Sequence, residues 1–158
     1  MAKAATAIPE GFHTITPQLA LDDAAKTIDW YKKALGAEEL SRSLGPDGKV
    51  MHAELKIGNS RFMVNDVMPG MKGPQAFGGS PASLWIYVDD SDAAFNRAVD
   101  AGAKVQMPLD NQFWGDRGGC VADPAGYSWW IATRKEDLTH EEIRQRAAEF
   151  FKKMAQPT

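Results

Sequence analysis

The sequence contains one cysteine, Cys120, among 158 residues. A lone thiol closes no internal disulfide, so the fold has to stand on packing, and the compartment implied is the reducing cytoplasm. Long apolar runs are missing too. No stretch reaches the length needed to cross a bilayer, and Met1–Glu10 is Ala-rich without the apolar centre of a signal peptide, so no membrane partner is expected. Positive charge is not in excess. The 18 Lys and Arg face 21 Asp and Glu, a net charge of -3, and the basic residues are scattered, which argues against a nucleic-acid partner. Gly and Pro are too few to signal disorder. A hydrophobic content of 44% supplies enough apolar side chains for one ordinary domain or two half-domains.

The chain repeats itself. Leu21-Asp22-Asp23 opens a helical stretch that closes at Leu35-Gly36-Ala37, and Val88-Asp89-Asp90 opens another that closes at Ala101-Gly102-Ala103. Each is preceded by an alternating strand. The first strand reads Ile15–Leu21, with Pro17 suited to a strand start or edge. A helix follows, capped by Asp22 or Asp23, with Ala25, Ile28, Trp30 or Tyr31, and Leu35 as its apolar face. Strands are predicted at Ala37–Leu44, Lys49–Ile57 and Ser60–Asn65, joined by Gly45-Pro46-Asp47-Gly48 and Gly58-Asn59. Met68–Pro81, rich in Gly and Pro, reads as a linker. The second copy gives a strand Ser83–Val88, a helix Ser91–Ala101, a strand Ala103–Met107, a loop Pro108–Trp114, and strands Asp116–Ala122 and Tyr127–Thr133. From Leu138 a third helix begins at Thr139-His140-Glu141-Glu142, with capping-box spacing and an apolar face of Ile143, Ala147, Phe150, Phe151 and Met154. The fold class is therefore α+β. Two β-α-β-β-β modules, 13–67 and 82–135, form a curved mixed sheet with a central cleft inside a domain spanning 13–135. A flexible tail (1–12) precedes it and a helical extension (136–158) follows. A repeat of this size cannot bury its sheet face alone, so the copies pair, and the cleft between them is where a ligand is expected.

Four motifs carry a family resemblance: Ile28-Asp29-Trp30-Tyr31 through Leu35-Gly36-Ala37, Met51-His52-Ala53-Glu54-Leu55, Phe113-Trp114-Gly115-Asp116-Arg117, and Asp123-Pro124-Ala125-Gly126-Tyr127. With the paired modules they resemble the vicinal oxygen chelate superfamily, the fold of glyoxalase I, extradiol dioxygenases, and the bleomycin and fosfomycin resistance proteins. The Phe-Trp-Gly-Asp-Arg stretch is most similar to its PhnB-like branch. Metal-dependent members take His, Glu or Gln ligands from four strands. The resemblance places those positions at Thr16, Met63, Ser83 and Trp130, none of which suits a borderline or hard divalent ion. Shifting the first strand by two residues brings in Gln18. The family often forms dimers, which makes a homodimer the expected assembly.

Strand alternation sorts the remaining candidates. With Ile15, Leu19, Leu21, Ala53, Leu55, Ile57, Phe62 and Val64 in the core of the first copy, Thr16, Gln18, Ala20, His52, Glu54, Lys56, Arg61, Met63 and Asn65 face the other way. In the second copy Leu84, Ile86, Val88, Trp129 and Ile131 are core, and Ser83, Trp85, Tyr87, Ser128, Trp130 and Ala132 face the cleft. Trp85, Tyr87, Trp130 and Met63, with Phe113 and Trp114 in a loop at the mouth, make an aromatic surface suited to stacking on a planar ligand. Arg61 and Arg117 are placed to meet an anionic or carbonyl group on it. His52 and Glu54 share one face of a strand and form the candidate acid–base pair. The aspartates at 22, 23, 89 and 90 read as helix caps, Cys120 as inert, and His13 and His140 as surface residues.

Two functions are therefore in competition. The residues favour a metal-independent binding protein that holds a planar or aromatic molecule, an antibiotic or a metabolite, with Gln18, Arg61, Met63, Trp85, Tyr87, Trp114, Arg117 and Trp130 as its contacts and no cofactor. The alternative is a glyoxalase-type lyase, isomerase or dioxygenase in which Gln18, His52 and Glu54 hold a divalent metal.

Overall fold

A computed structural model of the chain describes residues 4–155. The outermost parts of the expected N-terminal tail (1–3) and C-terminal extension (156–158) lie outside the described residues. The chain divides into two units, the first running to Pro81 and taking in Asp123–Tyr127, the second comprising Ala82–Ala122 and Ser128 onward.

The first unit is a four-stranded mixed sheet with one helix. Its strands β1 (Gln18–Leu21), β2 (Glu38–Leu44), β3 (Val50–Ile57) and β4 (Ser60–Asp66) lie in the order β1-β4-β3-β2, with β1 and β4 parallel and the other pairs antiparallel. Strand β1 is shorter than its alternation predicts. Pro17 has no N–H to give a ladder, though its carbonyl accepts from Met63 N at 2.9 Å, so pairing begins at Gln18. Ile15 is left 85% exposed, not in the core, and Thr16 precedes the strand. Helix α1 (Ala24–Leu35) starts where the Asp23 carboxylate accepts from Lys26 N at 3.1 Å and stops at Gly36, whose φ of 67° is the left-handed conformation glycine tolerates best. Its buried face runs through Ala24, Ile28, Tyr31 and Leu35. Ala25, expected on that face, is one helical step off it and exposed.

Two buried carboxylates tie this unit together. Asp66 accepts from Ala24 N at 2.8 Å and Val50 N at 2.7 Å, joining the start of α1 to the start of β3. Asp123 accepts from Ala125 N and Tyr127 N, which shapes the Asp-Pro-Ala-Gly-Tyr turn, and from the Tyr31 hydroxyl at 2.6 Å. Each carboxylate is buried yet spends its charge on hydrogen bonds. The linker region contains one short 3₁₀ turn, Pro74–Phe77.

The second unit repeats the order. Strands β5 (Ser83–Tyr87), β6 (Lys104–Asn111), β7 (Asp116–Ala122) and β8 (Ser128–Arg134) lie as β5-β8-β7-β6, with β5 and β8 parallel. Helix α2 (Ser91–Asp100) is capped by Asp90, which accepts from Ala93 N at 3.0 Å. Strand β6 continues through Pro108, where a loop was expected. It is an edge strand, and register shifts between Val105 and Met107 and between Met107 and Asp110 absorb the missing donor. Helix α3 (His140–Met154) carries the expected capping box between Thr139 and Glu142. No residue of it is fully buried. It rests on its unit through Phe150 and Phe151, whose rings lie 5.4 and 6.2 Å from Phe113, and through a two-pronged Arg146–Glu136 pair at 2.8 Å.

Among the glycines of this unit the closest surroundings are at Gly119, where an added Cβ would lie 2.6 Å from Phe95 Cε2 and 2.9 Å from both Leu109 N and Met107 O. Two of those neighbours are backbone and cannot rotate away. Gly119→Ala is expected to destabilise the protein by about 1–3 kcal/mol in urea unfolding; a change under about 0.5 kcal/mol would contradict this packing.

Candidate functional site

Three tryptophans meet on the face of the second sheet opposite α2. Trp85 and Trp130 are direct partners across β5 and β8. Residues opposite each other on neighbouring strands share a face, and the two indoles stack with centroids 4.6 Å apart and planes within 5°. Trp114, in the loop before β7, stands edge-on to both at 6.0 and 6.1 Å. Tyr87, two residues along from Trp85, adds a fourth ring at 6.3 Å. One face of each stacked indole is spent on the other, but Trp85 remains 39% and Tyr87 65% exposed.

The Phe113-Trp114-Gly115-Asp116-Arg117 motif builds this cluster, each residue having a separate task. Phe113 receives Phe150 and Phe151 of α3. Trp114 joins the stacked pair. Gly115 takes a φ of 97°, and its carbonyl accepts from both Lys135 N and Glu136 N at 3.0 Å. A Cβ there would lie 3.0 Å from Glu136 O, so the segment after β8 is held close by the lack of a side chain. Asp116, 5% exposed, accepts from the Tyr87 hydroxyl and from Trp114 Nε1, both at 3.0 Å and both on Oδ2. Partial desolvation of the Tyr87 hydroxyl, and then the Asp116 carboxylate beside it, push the phenol pKa up, so Tyr87 stays a donor. Arg117 alternates to the opposite face. There its guanidinium grips Asp92 of α2 through two bonds of 2.6 Å, which also draws the Asp92 carboxyl below its ordinary range. It is therefore on the helix side, away from the tryptophans it was expected to join.

Beside the tryptophans a groove of about 730 Å³ opens at the ends of β5 and β8 under α3. Its walls include Tyr87, Asp89, Trp114, Asp116, Arg134 and Ile143. The volume suits a drug-sized molecule. Asp89, read from sequence as a helix cap, lines this groove instead; Asp90 alone makes the cap. Cys120 is 4% exposed, its thiol pKa is raised by burial, and Sγ lies 3.3 Å from Gln106 Oε1, all features of an unreactive thiol.

The other sequence candidates lie on the helix-free face of the first sheet. Gln18, Met63 and Glu54 stand in one cross-strand row. Gln18 Nε2 donates to Asn65 Oδ1 at 2.9 Å. His52 Nε2 is 3.7 Å from Glu54 Oε1, beyond hydrogen-bond length, and Arg61 Nη1 is 3.9 Å from Glu54 Oε2. Arg61 also lies over the Phe12 ring at 5.1 Å, pinning the end of the N-terminal segment. Among the described residues no three His, Cys, Asp or Glu side chains gather as a metal-binding group. The four positions that the metal-dependent pattern would use do not fit a divalent ion. Met63 offers a thioether, Trp130 an indole already stacked on Trp85, and Thr16 and Ser83 neutral hydroxyls. Arg61 beside Glu54 supplies a positive charge where a metal would need to supply its own.

The role of Asp116 is not evident from the sequence. The signal was present, a carboxylate opening a strand between Gly and Arg in the most distinctive motif. Its partner Tyr87 lies 29 residues away, and only the fold brings them together.

Comparison with known proteins agrees with this architecture. The family pattern described as Glyoxalase/Bleomycin resistance protein/Dioxygenase superfamily matches residues 11–131. An uncharacterized protein of Mycobacterium tuberculosis is 44% identical over 135 residues, covering 82% of this chain and 79% of that protein. The structure of TioX from a Micromonospora species is 28% identical with a TM-score of 0.62, covering 80% of this chain and 100% of TioX. The PhnB protein from Bacillus cereus, at 21% identity and a TM-score of 0.59 over 77% of this chain and 99% of its own, shares the fold. With two β-α-β-β-β modules in the same strand order and a match across most of its length, the chain belongs to the Glyoxalase/Bleomycin resistance protein/Dioxygenase superfamily.

Proposed function

We propose that this protein is a metal-independent binder of a planar, aromatic small molecule, which lies against the tryptophan cluster of the second unit and in the groove beside it. The observation that carries the reading is the stacked Trp85–Trp130 pair with Trp114 edge-on to both. The position where the metal-dependent pattern would place a ligand holds one of those indoles. Large rings with two rotatable bonds bind flat molecules at low entropic cost. A cluster kept partly exposed on a sheet face is costly in water unless something covers it. Gln18, Arg61 and Met63 belong to the first unit, on the face of its sheet opposite α1.

The test is quenching of intrinsic tryptophan fluorescence by a panel of flat heteroaromatics. Saturable quenching is expected in the wild type, with affinity weakened roughly fivefold or more in Trp130→Ala, the loss of one stacking partner being about 1–3 kcal/mol. Saturable binding that is unchanged in Trp130→Ala would contradict the site. In parallel, protein purified without chelator or affinity tag is expected to carry no stoichiometric metal. A stoichiometric ion that disappears in His52→Ala would favour the lyase or dioxygenase reading through Gln18, His52 and Glu54.

A further inference from the structure

The groove beside the tryptophans is not neutral. Asp116 is 5% exposed, and both of its protein donors, the Tyr87 hydroxyl and the Trp114 indole N–H, converge on Oδ2. Oδ1 accepts from neither. Among the described residues the one sealed side-chain polar atom lacking a partner is Ser91 Oγ. Asp116 Oδ1 is therefore not sealed in the core: it reaches open space, and the open space that Asp116 lines is the groove. A carboxylate that is almost wholly buried while one oxygen keeps its acceptor capacity is an expensive arrangement that a donor from outside would relieve.

The charges around it favour a cation. Among the described residues no basic side chain lies within ion-pair distance of Asp116 or of Asp89 at the groove's exposed rim. The one guanidinium in the lining, Arg134, is engaged by Asp137, and the Glu136 carboxylate is held by Arg146 at 2.8 Å. Arg134 is also the cross-strand partner of Asp116, but its guanidinium is drawn to Asp137 and makes no ion pair with the Asp116 carboxylate. Asp116 and Asp89 are left as the lining carboxylates without an ion pair. Trp114 and Tyr87 line the same groove, and aromatic faces attract cations, tryptophan most of all.

We propose that the groove recognises a protonated amine on the planar ligand, with Asp116 Oδ1 accepting its N–H and Trp114 and Tyr87 receiving its charge on their rings. This rests on the planar-ligand reading above and adds the ligand's charge to it. A flat neutral ring needs only the stacked tryptophans; a flat cation gains the carboxylate as well. The same two acceptor oxygens divide the work, Oδ2 fixing the aromatic walls and Oδ1 selecting what enters between them.

Three probes of one shape separate the possibilities: 9-aminoacridine, acridine and acridine-9-carboxylate, titrated calorimetrically at mildly alkaline pH, where the first is a cation, the second neutral and the third an anion. The wild type is expected to bind the cation roughly tenfold or more tighter than the neutral ring, a hydrogen bond to a charged group being worth about that much, and the anion weakest. Asp116→Asn is expected to bring the ratio of 9-aminoacridine to acridine affinity down to within about twofold, both probes being measured on the same folded variant so that any loosening of the aromatic walls acts on the two alike. Equal binding of cation and neutral ring by the wild type would overturn the proposal while leaving the planar-ligand reading standing, as would a preference that persists in a folded Asp116→Asn. Failure of all three probes to bind would overturn both. Should Asp116→Asn fail to fold, the wild-type ranking at low and high salt still decides: a cation preference that persists at high salt supports the buried carboxylate, and one that vanishes belongs to exposed charges and overturns the proposal.

Discussion

The second unit is organised around one buried carboxylate. Asp116 sits at the start of β7, 5% exposed, and holds the Tyr87 hydroxyl and the Trp114 indole N–H on a single oxygen. A buried charge is tolerated only where donors meet it, and hydrogen bonds to it are worth about 1.5–3 kcal/mol each. Removing either donor therefore costs more than a surface contact would. That constraint fixes Tyr87, which stands beside Trp85, and Trp114, which stands against both members of the stacked pair. The aromatic surface is thus preorganised: its rings are held by polar anchors at their edges while part of their faces stays open.

The same motif shows how a strand divides its labour. Asp116 and Arg117 are adjacent, so alternation sends them to opposite faces of the sheet. One organises the tryptophans; the other clamps Asp92 and binds α2 to the sheet. Gly115 allows the segment after β8 to come close, and Phe113 receives α3. Five consecutive residues connect the sheet, its covering helix, the C-terminal helix and the candidate site. A motif this dense constrains a fold strongly, and its presence says less about the reaction, since the superfamily carries many activities on one scaffold.

Much of this was legible in the sequence. The duplication gave the strand order its repeat, and the Asp23, Asp90 and Thr139 caps and the Gly36 stop are local chemistry that survives in the structure. Alternation put Trp85 and Trp130 on one face, because both strands carry a clean period of two. What was not legible depends on partners distant along the chain. Strand β1 starts late since Pro17 cannot donate, and β6 runs through Pro108 because an edge strand forgives it. Arg117 reads by chemical type as a ligand contact, whereas its parity against Asp116 places it on the side of α2. The role of Asp116 is not visible in its own segment because a carboxylate's role is set by its donors, and one of them lies in β5. Asp89 and Asp90 look alike in sequence, yet only one caps the helix; the other faces the groove.

The most direct test of the tryptophan cluster as the ligand surface is a titration followed by the indole N–H resonances of isotopically labelled protein. The chain has five tryptophans. Trp85, Trp114 and Trp130 form the cluster, while Trp129 is 1% and Trp30 7% exposed in the cores of their units. On adding a flat cationic probe such as 9-aminoacridine, the resonances of Trp85, Trp114 and Trp130 are expected to shift together and saturate at one concentration, with Trp30 and Trp129 unmoved. Shifts spread evenly over all five, or saturable binding that leaves the three cluster resonances in place, would contradict it.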